Sequence, residues 1–381
     1  MQRRKLILPI VALILALTGT ARAEDLAAEA KKIARDEVGK LGSKYSAQVD
    51  PHRHLIFISA LDSRSLQQTR DLLLAYTDAQ RRTLLGEKPQ WNITIILPTK
   101  DDYENNFNPP KGAIGYYQSG KKRVISIDRG RTLIHEFTHA LHAADASAAR
   151  QVHPMWVKEG LATLFERAKI GADGLTPLLD TRLLTVQRAI RKEELLELED
   201  LLKMDRKRFY ADRHRTLAYA QARYLMYYLH EKGKLQAWYK EFKRTCTGDP
   251  TGRQALQRVL SAQMFRIQKD WTRWVGRLKL PAAERRSGQA RLGAIVAVHP
   301  QGVKIVTLPD GSAAKQAGRL KVGDVITRID GKPVRNMAEF VAAVRSCRAM
   351  QTVTIILKRH GRTQTIQQPL GQPDSASMKA G

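Results

Sequence analysis

Residues 133–145 read LIHEFTHALHAAD, and His135 and His139 stand four positions apart in that run. On a helix this spacing sets both imidazoles on one face, about 40° apart and one turn along the axis, so that both reach a single ion. Glu136 falls between them, beside whatever the imidazoles hold. A catalytic zinc takes three protein ligands and keeps one position open. Two further donors, His142 and Asp145, lie in the same run. An unbroken helix places His142 about 10 Å along the axis from His135 and turns Asp145 about 120° away from His139, so neither reaches the same tetrahedral ion. A third ligand at Asp145 requires a turn directly after His139. His142 stands where such a turn wants glycine, which makes the turn costly.

A better third donor lies in PMWVKEGLATLFE, read as a second helix with Trp156, Leu161, Leu164 and Phe165 on its buried side and Glu159 twenty residues after His139. Together, HEFTHALH and WVKEGLA resemble the gluzincin zinc peptidases of the peptidase-MA-like group, whose pattern is HExxH followed after some twenty residues by W-x-x-E-G-x-A. The resemblance implies a zincin-like fold, one Zn2+ per chain held by His135, His139 and Glu159, and Glu136 as general base. It also implies a tyrosine that donates to the oxyanion from a later helix. Tyr219 in TLAYAQARYLMYYLH has a suitable separation, although Tyr210 and His214 compete for that role. Tyr219, Ala222, Met226 and Leu229 equally form an ordinary buried stripe.

The stretch GAIGYYQSG occupies the place where related aminopeptidases carry a Gly-Ala-Met-Glu-Asn strand along the cleft. Gly115 stands in for their amine-holding acid, which weakens an aminopeptidase assignment. Gly115, Tyr116 and Tyr117 are the expected contacts for an extended peptide backbone, as suits an endopeptidase.

From residue 290 the texture changes to short β-like runs between glycine-rich turns. LGAIV and then GSAAKQAGRLKVGDVITRIDGKPVRNMAEFVAAVRS resemble the PDZ domains of bacterial envelope proteases. Gly323 with Asp324 and Asp330 with Gly331 are read as turns, and Val325, Ile326, Ile329 and Val334 as sheet core. By resemblance, Leu292, Gly293, Ala294 and Ile295 receive a peptide terminus and pair with the peptide.

The chain opens MQRRKLILPIVALILALTGTARA, with a basic start, a short apolar run and a small-x-small site ending at Ala23. This pattern is that of a secretory signal peptide, and the expected location is periplasmic or extracellular, with no membrane span in the mature chain. Removing it lowers the formal charge from +28 to +24. Such a charge favours an anionic envelope surface. No finger, RNP-like or helix-turn-helix motif accompanies it, so no specific nucleic-acid partner is expected. Cys246 and Cys347 supply no disulfide framework.

The expected class is α+β rather than alternating βαβ units. A mixed N-terminal sheet, the active-site helix and a mostly helical half fill 24–280, followed by a linker at 281–289, a small β-rich domain at 290–370 and a disordered tail at 371–381. The expected function is peptide hydrolysis by an exported zinc enzyme on protein or peptide substrates. The alternatives are a catalytically silent envelope scaffold and an aminopeptidase.

Overall fold

A computed structural model of the chain describes residues 7–110, 112–281, 291–309, 312–347 and 351–371, with side chains from Glu24 onward except that of Arg345. The linker and tail positions 282–290 and 372–381 lie outside the described residues. Two compact units emerge, one holding 1–178 and 182–278, the other holding 279–377.

The first unit begins with helix α1 (Ile7–Leu41), which runs through the segment read as a signal peptide and onward. Strands β1 (Ser46–Asp50) and β2 (Leu55–Ser59), helix α2 (Ser63–Thr83), strand β3 (Ile93–Leu97), helix α3 (Lys100–Asn106), and strands β4 (Gly115–Gln118) and β5 (Arg123–Ser126) follow. They build a sheet in the order β1-β2-β3-β5-β4. β2, β3 and β5 run parallel, while β1 and β4 are antiparallel to their neighbours. The central strands LIFIS and ITIIL are buried throughout, as strands covered on both faces must be.

One crossover departs from expectation. β2, α2 and β3 form a βαβ unit, because a 21-residue helix between two strands returns the chain to the same end of the sheet and enforces parallel pairing. In α2, Leu66, Leu73 and Tyr76 are buried while Leu72 is exposed. Asp62 caps this helix by accepting from Ser65 N.

The hairpin of β4 and β5 turns through Ser119–Lys121 and leaves β4 at the edge of the sheet. Against these two strands packs helix α4 (Arg131–Ala148), whose Leu133, Phe137, Ala140 and Ala144 are buried, and beside it runs α5 (Met155–Phe165). After α5 the chain forms a small antiparallel hairpin of β6 (Ala168–Gly171) and β7 (Gly174–Pro177). Helices α6 (Arg182–Arg191), α7 (Leu198–Lys203), α8 (Arg206–Tyr210), α9 (Asp212–Glu231), α10 (Leu235–Thr245), α11 (Arg253–Leu260) and α12 (Met264–Arg277) complete the unit.

Contact between α5 and α9 is unusually close at Gly160. A Cβ there would sit 3.0 Å from both Ala222 O and Met226 Cγ, so the glycine after Glu159 sets the distance between the two helices. No helix among the described residues is long and apolar enough to cross a membrane.

The second unit is a β-rich domain with strands β8 (Ile295–His299), β9 (Gly302–Thr307), β10 (Val325–Ile329), β11 (Lys332–Pro333), β12 (Thr352–Arg359) and β13 (Arg362–Pro369). The sheet order is β13-β12-β10-β9-β8, with β11 on β10. Val325, Ile326, Ile329 and Val334 are buried, as expected. Asp330 and Gly331 both have positive φ, 46° and 75°, which gives the tight turn between β10 and β11.

Candidate metal centre

α4 runs unbroken, so the geometry of a straight helix decides which of its donors meet. His135 Nε2 and His139 Nε2 face each other at 3.1 Å. Glu159 Oε2 reaches in from α5 to 3.4 Å from each of them. A tetrahedral zinc about 2.1 Å from every ligand needs its ligand atoms about 3.4 Å apart, which these three distances approach. All three groups are nearly buried, and Glu159 Oε2 has no hydrogen-bond partner. Two imidazole nitrogens and an orphaned carboxylate oxygen converging on one point suit a cation between them. His135, His139 and Glu159 together could hold a metal ion.

The surroundings orient the set. His135 Nδ1 lies 2.9 Å from Glu166 Oε2, and Arg182 Nη1 donates to Glu166 Oε1 at 2.6 Å. A carboxylate on the far nitrogen makes Nδ1 the protonated one and aims the Nε2 lone pair inward. On the opposite flank, Tyr210 Oη donates to Glu159 Oε1 at 2.5 Å and leaves Oε2 for the ion. Burial disfavours a charge on His135, yet Glu159, Glu166 and Glu136 outweigh it and lift the imidazole to about 10. Glu166→Gln should weaken metal affinity about 10- to 100-fold, measured by chelator competition. An unchanged affinity would show that His135 needs no such support.

Glu136 projects toward the edge strand, where Tyr117 N donates to its Oε2 at 2.9 Å. Burial raises its proton affinity, as a general base at neutral pH requires. Gly115 is packed so tightly that a Cβ there would sit 2.6 Å from Ser126 Oγ, which excludes any acidic side chain at this position. Tyr116 is buried in the core beside Tyr103, so within this stretch Tyr117 and the outer backbone edge are what β4 presents toward Glu136. The Tyr219 ring centre lies 6.5 Å from that of His135. Burial and the Glu159 charge hold the Tyr219 hydroxyl protonated far above its usual range. His214 is half-buried.

His142 and Asp145 belong to a separate network. Asp145 is fully buried and accepts from Tyr239 Oη at 2.8 Å, Lys243 Nζ at 3.1 Å and Glu87 N at 3.2 Å. His142 Nε2 pairs with His153 Nδ1 at 2.8 Å. Burial holds both imidazoles neutral, His142 well below its usual range and His153 down to about 4. In the unfolded chain each would take up a proton below about 6.5. Stability is therefore full above that pH and falls as pH drops toward 4, by about 3 kcal/mol for His153 alone. Thermal midpoints measured between pH 7 and 4 should trace this loss, and His153→Gln should flatten it.

Glu166 and Tyr210 are the contributors that the sequence reading passed over in these roles. Glu166 carried a usable signal, since it lies seven residues after Glu159 and so on the same face two turns later.

Comparison with known proteins separates the two units. Residues 290–370 match the family model described as PDZ domain. This segment is a PDZ domain. Residues 130–251 match a model described as a protein of unknown function, DUF1570, which spans both ligand helices. No curated protein matches the chain. Among solved structures, an aminopeptidase N family protein from Idiomarina loihiensis is similar at 14% identity over 87% of this chain and 68% of its own, with a TM-score of 0.37. The PDZ domain of an SdrC-like protein from Listeria monocytogenes is 29% identical over 22% of this chain and 84% of its own, TM-score 0.19. A serine endoprotease from Yersinia pestis is 26% identical over 23% of this chain, TM-score 0.20. The chain spans only 30% of that protease's length.

Within the PDZ domain, β8 is one of the two edge strands. Leu292 is buried in the core, Gly293 takes φ 75° against Ser312, and Ala294 packs partly on the core. Of the four expected contacts, Ile295 exposes its side chain most, at 53%. Leu292 thus offers a ligand its backbone only.

Proposed function

We propose that the chain is an exported, zinc-dependent peptidase acting as an endopeptidase, with a PDZ domain that binds peptide termini or partner tails. The observation that carries this reading is the convergence of His135 Nε2, His139 Nε2 and the orphaned Glu159 Oε2 at spacings that suit one tetrahedral ion. A divalent ion held there supplies Lewis acidity toward a water and a carbonyl oxygen.

The chain's own residues do the rest. An extended peptide adds to the edge of β4, with Tyr117 N exchanging Glu136 for the peptide backbone as it docks. Glu136 Oε1, which Tyr117 does not engage, takes the proton of the attacking water and later passes it to the leaving amine. Tyr219, kept protonated by burial, donates toward the oxyanion, while Tyr210 holds the Glu159 carboxylate in place. The closed packing around Gly115 leaves no room there for an acid to hold a free α-amine, which favours endopeptidase over aminopeptidase action. Export rests on the signal-like residues 1–23.

Metal analysis of purified protein should find one zinc per chain, and a peptide library with free and blocked amino termini should be cut internally in both forms. Metal-free protein, as isolated and after zinc addition, would leave the scaffold reading in its place.

A further inference from the structure

Where α9 and α12 end, the first unit forms a cavity of about 330 Å³, at the small end of the range for ligand sites. Tyr228 in its lining stands nine residues after Tyr219, about 14 Å further along α9, so the cavity is separate from the metal centre. Aromatic rings make one wall. Trp274 meets Tyr228 at a steep angle with ring centres 5.0 Å apart, and lies against Tyr227 at 6.2 Å with the two planes 29° apart. These contacts fix the indole while leaving it half-buried. Lys232, Arg273 and Arg277 make most of the rest, and Asp270 is the one acid among the described lining residues. Asp270 lies 3.3 Å from Arg273 Nη1, whereas Lys232 and Arg277 have no acidic partner among the described residues. Lys232 Nζ stands 5.5 Å from the centre of the Tyr228 ring.

Basic residues at helix C-termini ordinarily answer the carbonyls left open there. Other groups already do so at both of these ends. Gln187 Nε2 donates to Val275 O at 3.1 Å, Gly276 O at 3.4 Å and Leu278 O at 2.9 Å. At the end of α9, the backbone N–H groups of Lys232, Gly233 and Lys234 donate to the carbonyls of Tyr228, His230 and Leu229. Lys232 and Arg277 are therefore surplus to capping and line a cavity with a fixed aromatic wall. The ligand that matches carries an anion for the two cations and a compact ring with an apolar face. A sugar ring presents C–H bonds of slight positive charge, which meet the negative face of an indole, and its hydroxyls can donate to Asp270. An acidic peptide offers neither ring nor hydroxyls and brings like charge toward Asp270. We propose that this cavity binds an anionic sugar unit, bearing a carboxylate or a phosphate, and so attaches the chain to an acidic glycan.

The full chain is titrated by calorimetry at physiological ionic strength, where loose attraction between charges is screened. The ligands are a galacturonic acid trimer and its methyl ester, glucose 6-phosphate and glucose, hexaglutamate and oligothymidylate. Methylation removes the charge and keeps the rings. The trimer should bind about tenfold tighter than the ester, or glucose 6-phosphate about tenfold tighter than glucose, and the pair that shows the advantage identifies the anion as carboxylate or phosphate. Lys232→Gln and Arg277→Gln should each weaken the favoured ligand about threefold, and the double variant about tenfold. Trp274→Ala should weaken it about tenfold and Trp274→Phe by less, with thermal midpoints checking that each variant is folded. If the alanine variant does not fold, Trp274→Phe and the two exposed cations still carry the test. The proposal is overturned if neither pair of sugars differs, or if the favoured ligand binds the double Gln variant as tightly as the unsubstituted chain. It is equally overturned if hexaglutamate or oligothymidylate binds as tightly as the favoured sugar with the same dependence on Trp274.

Discussion

Replacing Glu136 by Gln should leave the metal content unchanged and lower kcat/KM for peptide hydrolysis by about 10²- to 10⁴-fold. The substitution is nearly isosteric, and its amide oxygen still accepts from Tyr117 N, so the edge strand and α4 keep their contact. None of the three converging ligand atoms belongs to Glu136. What disappears is the ability to take a proton. Burial around Glu136 raises its proton affinity, the direction in which a base is tuned. Metal content and single-turnover hydrolysis, measured on the same preparation, separate the two effects. Activity within a factor of a few of the unsubstituted chain would remove Glu136 from the chemistry.

The second large effect contrasts two buried acids. Glu159→Ala should abolish stoichiometric zinc while the domain stays folded, because it deletes one of three converging donors. Asp145→Ala should do the reverse. Asp145 is fully buried and ties Tyr239 and Lys243 of α10 and the backbone at Glu87 to the last turns of α4. Removing it strands a buried hydroxyl and a partly buried ammonium. Breaking a buried pair from one side costs about 3–5 kcal/mol, and the access of Lys243 to water puts the expected loss near the lower end, about 3 kcal/mol. Denaturant unfolding and metal content of both variants decide the matter. Zinc lost with Asp145→Ala under conditions where the chain is folded would make Asp145 a ligand and overturn the assignment of Glu159.

The two acids also mark how far the sequence could be read. Helical geometry was enough to separate His135 and His139 from His142 and Asp145, because four residues on an intact helix fix both the rotation and the rise. It was enough to place Trp156, Leu161, Leu164 and Phe165 inside, since the apolar stripe of α5 orients the helix, whereas the expectation of Glu159 as third donor rested on the resemblance of WVKEGLA to the gluzincin pattern. The turns at Gly323 and Asp330 followed from residues that tolerate positive φ, and the long ordered motif around them sufficed for the PDZ domain.

Elsewhere the local pattern misled or said nothing. The parallel pairing of β2 with β3 depends on where a 21-residue helix returns the chain, and strand composition carries no sign of that direction. The β6 and β7 hairpin is four residues per strand, too short for alternation to stand out from flanking helices.

For the site, the sequence by itself determined which atoms on each helix point the same way, because that is set by periodicity within one element. Only the tertiary structure decided that Glu159 Oε2 meets both imidazoles, that Glu166 and Arg182 brace His135, and that Tyr210 takes the remaining oxygen of Glu159. Those contacts join segments between 16 and 51 residues apart. Their distances follow from how closely α4, α5, α6 and α8 pack, and the same kind of close approach is seen where Gly160 leaves no Cβ between α5 and Ala222. Periodicity aims a side chain; helix packing supplies what it reaches.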